Sequence, residues 1–220
     1  MEHQIFGNPD RGNVTFFLAA GEKVVVEAGS MSFMTAGTEA RPRLVGGVMR
    51  SAARLLLGGE SMFLTEYSTS SAGCLSVAPA FPGTVVHREL AGDDDALLMA
   101  AGAFLAGGPE VKITTALGGL RSLLAGAGVV VLRAAGRGPL FFNTYGAVLE
   151  RRVDGELVVD TGHLVAWEPS LAWTIGGMGS WKTTLLSGEG LVCRFRGSGT
   201  VWLQSRPLSG FVRWLAPFCH

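Results

Sequence analysis

The chain has 220 residues, 48% of them hydrophobic and only 16% charged, against about 25% charged in ordinary soluble domains. Its 32 glycines are about twice the usual share, yet they follow no Gly-X-Y period and form no Gly/Ser tract, so collagen, a disordered polymer and a flexible linker are excluded. Eighteen basic and eighteen acidic residues cancel, which leaves no global field to recruit a nucleic-acid backbone.

The amino terminus, Met1-Glu2-His3-Gln4-Ile5, has neither the basic and apolar regions of a secretory signal nor an Arg/Ser-rich transit pattern, so a cytoplasmic protein is expected. The stretch from Gly21 to Phe33, with Val24-Val25-Val26 before Gly29 and Met31-Ser32-Phe33 after it, reads as strand, glycine turn, strand. Arg41, Arg43, Arg50 and Arg54 follow, four bases with no acid between Glu39 and Glu60. The spacing of Arg50 and Arg54 ahead of Leu55-Leu56-Leu57 predicts one or two helical turns over 48–57. This basic segment is a candidate surface for an anionic membrane or an acidic partner; the plainer reading is a solvated face or a subunit ion pair. A Gly46-Gly47 pair, the run Leu56-Leu57-Gly58-Gly59-Glu60-Ser61, a strand from Met62 to Tyr67 and a turn at Gly73 complete the segment.

The same order returns twice. Gly92 to Ala106 and Gly155 to Trp167 carry a central glycine at Gly102 and Gly162, and Gly-Gly pairs follow at Gly118-Gly119 and Gly176-Gly177. Leu123-Leu124-Ala125-Gly126 and Leu185-Leu186-Ser187-Gly188 then precede strands from Val129 to Ala134 and from Leu191 to Phe195, and turns at Gly136-Arg137-Gly138 and Gly197-Ser198-Gly199. Propensity alone makes Ala96–Ala106 a helix; the match to two β-branched segments makes it strand, because context overrides a weak local preference. A unit of about 60 residues cannot bury one face alone, whereas three stacked units can. The expected fold is all-β: a β-sandwich or double-stranded β-helix-like body of three related β units with short helical turns. It forms one domain over 1–220, with repeats at about 21–80, 92–146 and 155–207 and an apolar tail at 208–220. Phe211, Trp214 and Phe218 give that tail an aromatic face expected to dock on the body or on a neighbouring subunit.

Candidate chemistry is thin. Glu60 and Glu189 hold equivalent places, where paired carboxylates serve acid–base work or bind a hard cation, but the third place holds Ala127 and a Glu beside a glycine turn commonly accepts from backbone amides. His163 follows the Gly162 turn, with His3, His87 and His220 far off in sequence and no metal-ligand spacing. Cys74, Cys193 and Cys219 form no CxxC and read as small apolar residues. No Gly-x-Ser-x-Gly elbow occurs, and in Gly177-Met178-Gly179-Ser180-Trp181-Lys182-Thr183 a tryptophan stands where a phosphate loop needs glycine. The weak pocket candidates of an enzyme reading are therefore Glu60, His163 and Glu189, with no cofactor and no metal expected. The interaction-surface candidates are Arg41, Arg43, Arg50, Arg54, Trp214 and Phe218.

The run from Ser187-Gly188-Glu189-Gly190 through Phe195-Arg196-Gly197-Ser198-Gly199-Thr200 to Ser205-Arg206 resembles the family whose yeast founder was named for altered inheritance of mitochondria, number twenty-four. Ala28-Gly29-Ser30-Met31, Gly59-Glu60-Ser61-Met62, Phe81-Pro82-Gly83-Thr84 and Asp160-Thr161-Gly162-His163 carry the same resemblance, which spans roughly residues 3–208. Ala127 in the middle signature and Ser205 before Arg206 depart from its pattern. The resemblance implies a β-rich fold of the tryptophan-attenuation-protein-like (TRAP-like) group, trimeric assembly in bacterial members and no established catalysis. Together these give a non-enzymatic oligomeric scaffold or binding protein with an unidentified protein partner and no nucleic acid. The alternatives are an enzyme with a pocket between repeats, and a membrane-associated organiser acting through residues 41–54.

Overall fold

The computed structural model of the chain describes residues 1–44, 63–116, 130–177 and 191–219. The first third of the chain supplies β1 (Glu2–Phe6), β2 (Asn13–Leu18), β3 (Lys23–Glu27), β4 (Met31–Met34), β5 (Thr38–Leu44), β6 (Phe63–Thr69) and β7 (Gly73–Val77). The middle third supplies β8 (Val85–Ala100), β9 (Phe104–Gly107), β10 (Lys112–Thr115) and β11 (Val131–Asn143). The last supplies β12 (Val148–Asp160), β13 (Leu164–Trp167), β14 (Ala172–Gly176), β15 (Val192–Gln204) and helix α1 (Leu208–Leu215). The fold is all-β, as its composition and turn spacing predict. The segment Ala96–Ala106 is strand, a single 3-10 turn at Ala101–Ala103, then strand again, because β8 is held between β11 and β13. The helical turns expected over 48–57, the Gly46-Gly47 and Gly118-Gly119 pairs and Gly59, Gly126 and Gly188 lie outside the described residues.

Two sheets form. One is four-stranded, in the order β1-β2-β7-β4; the other has eleven strands, with β12-β15-β13-β8-β11-β9-β3-β6-β5 in line and β10 and β14 attached to β11 and β15. One set of pairings occurs in each third. β2 with β7 matches the first part of β8 with the end of β11, and the first part of β12 with the end of β15. β3 with β6 matches the second parts of β8 and β12 with the beginnings of β11 and β15. The amides of Ala28, Ala101 and Thr161 donate to the carbonyls of Phe63, Val130 and Leu191 at 3.0, 2.9 and 2.9 Å, one bond per third. The pairings β4–β7, β9–β11 and β13–β15 each contain one register shift. Only the first third breaks its long strands, at residues 19–22 and 70–72, and this releases β2 and β7 into the small sheet.

The apolar core has three parts. Phe16, Leu75 and Val77 of the small sheet pack on Val24, Val26 and Phe141 of the large one. Leu97, Met99, Phe104, Leu140 and Phe142 fill the middle, and Trp167, Phe195, Leu164 and Val201 the last third. Each such side chain contributes about 1.5–3 kcal/mol by leaving water. Cys193 belongs to the last cluster, and burial pushes its thiol up to about 12, so it is a packing residue and not a nucleophile.

Candidate functional site

Of the site candidates singled out in the sequence, the structure describes Arg41, Arg43, His163, Trp214 and Phe218. Arg41 and Arg43 lie on β5, whose partner β6 brings Glu66 beside them. Arg43 Nη1 donates to Glu66 at 2.7 Å, Lys23 Nζ to the same carboxylate at 3.0 Å, and Arg41 Nη2 to Glu39 at 3.0 Å. The hydrogen bond from Lys23 leads in holding the Glu66 carboxyl below its ordinary range, with the charges of Lys23, Arg43 and Arg41 behind it. The basic segment is thus balanced by acids along its described part. Arg50 and Arg54, like Glu60 and Glu189, lie outside the described residues.

His163 closes the 3-10 turn Thr161–His163, and its Nδ1 is 2.7 Å from the carbonyl oxygen of Gln204. That contact ties the turn to β15. A cleft of about 490 Å³ sits elsewhere, at the corner of β8 and β11, lined by Gly92, Asp93, Glu110, Lys112, Gly136 and Arg137. His163, the one pocket candidate among the described residues, does not line it. Among the described residues no group of three or more His, Cys, Asp or Glu could hold a metal ion, and no helix is long and apolar enough to cross a membrane.

The tail forms a helix, α1, and docks lightly. Phe211 meets the Tyr145 ring at 6.3 Å, Tyr145 meets Phe81 at 5.6 Å, and beyond Phe211 the stack Trp214–Phe218 continues into solvent with 64% and 68% of those residues exposed. Arg206 and Arg213 are the charges of this segment; no acid follows Glu189.

Two features carry no simple sequence signal. The first is the edge of β4: Met31, Ser32, Phe33 and Met34 are all exposed, Phe33 by 53%. The free edge of β12 shows Val158, 44% exposed. The corresponding strands β9 and β13 are wholly buried. Comparing the sequence slots four residues after Gly29, Gly102 and Gly162 gives the hint, since they hold Phe33, Ala106 and Ala166.

The second feature is a histidine pair between sheets. His3 on β1 and His87 on β8 lie with ring centroids 4.5 Å apart, both against Phe141. Burial pushes His87 below its ordinary 6.5, the neighbouring His3 adds to this, and Glu89, 3.4 Å from His87 Nε2, partly opposes it. The unfolded chain therefore binds the proton first as pH falls. His87 contributes fully to stability above about pH 6.5, and the contribution is lost as pH falls below that value through the lower folded one. The urea midpoint is expected to drop between about pH 7.5 and about pH 5, and His87→Phe, which keeps the ring stack on Phe141, is expected to flatten that slope. A slope unchanged by the substitution would assign the pH dependence to other groups. Glu66 and Asp95, both held below their ordinary 4.5 and 3.8, act in a more acid window.

A family model described as mitochondrial biogenesis AIM24 matches residues 3–206. An uncharacterised protein of Streptococcus pyogenes serotype M6 is 30% identical over 205 residues, covering 89% of this chain and 82% of that protein. The X-ray structure of another Streptococcus pyogenes protein superposes with a TM-score of 0.81 at 28% identity, covering 99% of both chains.

Proposed function

The chain belongs to the mitochondrial biogenesis AIM24 family, with bacterial relatives in Streptococcus, and from that premise we propose that it works without catalysis, as a homo-oligomeric scaffold of three TRAP-like β units whose surfaces bind other proteins. The supporting observation is where its apolar side chains are left in water. Met31, Phe33 and Met34 line β4, Phe6 and Phe17 stand on β1 and β2 of the same small sheet, and Trp214 and Phe218 end the tail. A lone soluble chain rarely leaves contiguous apolar patches uncovered, whereas an interface core is built from such residues. The tail, exposed along its helix, is the surface left for a different protein.

Size-exclusion chromatography with light scattering tests the assembly. The expected result at micromolar concentration is three times the 23.1 kDa mass of one chain. A single-chain mass would remove the oligomer from this reading and leave the small sheet's apolar face unexplained.

A further inference from the structure

This inference rests on the oligomer reading and names the strands that join the copies. Inside the chain, one kind of junction links successive thirds. β9 pairs antiparallel with β3, Gly107 opposite Val25 and Ala106 opposite Val26. β13 pairs antiparallel with β8, Trp167 opposite Leu98 and Ala166 opposite Met99. Measured from Gly29, Gly102 and Gly162, both junctions use the same positions, three residues before one glycine and four after the next. A third junction of this kind would set Val159 of β12 opposite Phe33 of β4, and Val158 opposite Met34.

Among the described pairings that junction is open. β12 is paired through β15 alone and β4 through β7 alone, although their counterparts β3, β8, β9 and β13 are paired on both edges. The burial follows the same division. Val25 and Leu98 are buried at the two closed junctions, while Val158 in the corresponding place is exposed; Ala106 and Ala166 are at 0% exposure, while Phe33 stands in water. The free outer edges of β5, β10 and β14 are no guide, since they are open in all three thirds.

We infer that β4 of one copy pairs antiparallel with β12 of the next, so that the sheet runs on from chain to chain in the register Phe33 opposite Val159 and Met34 opposite Val158. The two edges are different surfaces of one chain, so the contact is head to tail, the kind that forms a ring when its rotation closes. The side chains fit that task. A junction inside the chain costs no translational freedom and manages with alanine at the Phe33 slot, whereas a junction between chains must offset the loss of free motion, and a phenylalanine there adds apolar area to do so. An exposed strand edge also presents its own N–H and C=O groups as a template for another strand.

The test is a cysteine pair. In a chain carrying Cys74→Ser and Cys219→Ser, the double substitution Met34→Cys and Val158→Cys is expected to give covalent multimers on denaturing gels after mild oxidation, while each single substitution stays one chain long. Light scattering on the same protein before oxidation reads the assembly independently. A multimer that does not cross-link overturns the junction and leaves the oligomer standing. A single-chain mass without cross-link overturns both, and a cross-link confined within one chain shows that the fold closes on itself and overturns the proposal as well. Val158→Lys, on an exposed edge where folding does not depend on it, is expected to reduce the multimer to one chain with the strand content unchanged; an intact multimer at equal concentration would count against the pairing.

Discussion

Trp167→Ala is expected to lower the unfolding free energy by about 3–5 kcal/mol, a large part of the roughly 5–15 kcal/mol that holds a domain of ordinary stability. Trp167 is fully buried at the end of β13, with Trp173 at 5.3 Å and Phe195 at 5.7 Å between ring centroids. Its backbone pairs Leu98 of β8 on one side and Val201 of β15 on the other, so the cavity opens where the middle and last thirds are joined. Both neighbours are strands fixed over 13 or more residues, which leaves little room for collapse around the lost ring. Trp167→Phe separates volume from polarity. The indole Nε1 is buried and meets no acceptor among the described residues, so phenylalanine removes a poorly placed polar group along with part of the ring. Its cost is expected to be less than half that of alanine. Urea unfolding with an unchanged slope checks both values, and an alanine variant within about 1 kcal/mol of the parent would mean that the last third is not packed around this residue.

Much of this architecture is legible in the sequence because glycine and β-branched residues act locally. The valines of 24–26 read as strand and form the buried middle of β3, whereas Gly136-Arg137-Gly138 and Gly197-Ser198-Gly199, which read as turns, lie inside the unbroken strands β11 and β15 because only the first third interrupts its long strands. The segment Ala96–Ala106 needed comparison along the chain, since its own alanines and leucines favour helix and only pairing with β11 and β13 reverses that. The surface was harder. Arg41 and Arg43 look like an unopposed basic patch because Glu66 stands on another strand, across residues 45–62, and only the β5–β6 pairing brings it within 2.7 Å of Arg43. Met31 and Phe33 have the character of core residues, and nothing local distinguishes a strand with two neighbours from a strand with one. His3 and His87 meet because the small sheet lies over the large one, a relation that no spacing encodes. The general lesson is physical: turns and strand patterns are set by neighbours in sequence, while ion pairs, edges and inter-sheet contacts are set by which strands become neighbours in space.

Gly136→Ala is expected to cost about 2–6 kcal/mol, combining backbone strain of about 1–3 kcal/mol with a similar penalty for overpacking. Gly136 has φ of 120°, a conformation that L side chains rarely adopt, at the buried bend where β11 shifts register between Ala134 and Gly136. A methyl group there would press on the carbonyl oxygen of Glu110, a backbone atom that cannot swing aside as a side chain would. The consequence reaches beyond one bend, because β11 pairs β8, β9 and β10 and so carries the whole middle third. Gly92, directly opposite on β8, provides the contrast. It has ordinary backbone geometry and open space where a Cβ would be, so Gly92→Ala is expected to lie within about 1 kcal/mol of the parent and on the stabilising side, through the smaller entropy of the unfolded chain. The two alanines therefore test one argument from both directions: they face each other across one rung of the sheet, and only the backbone angle and the Glu110 carbonyl separate them. Equal urea midpoints for the two variants would show that the bend in β11 tolerates a side chain and that glycine at this corner answers to something other than folding.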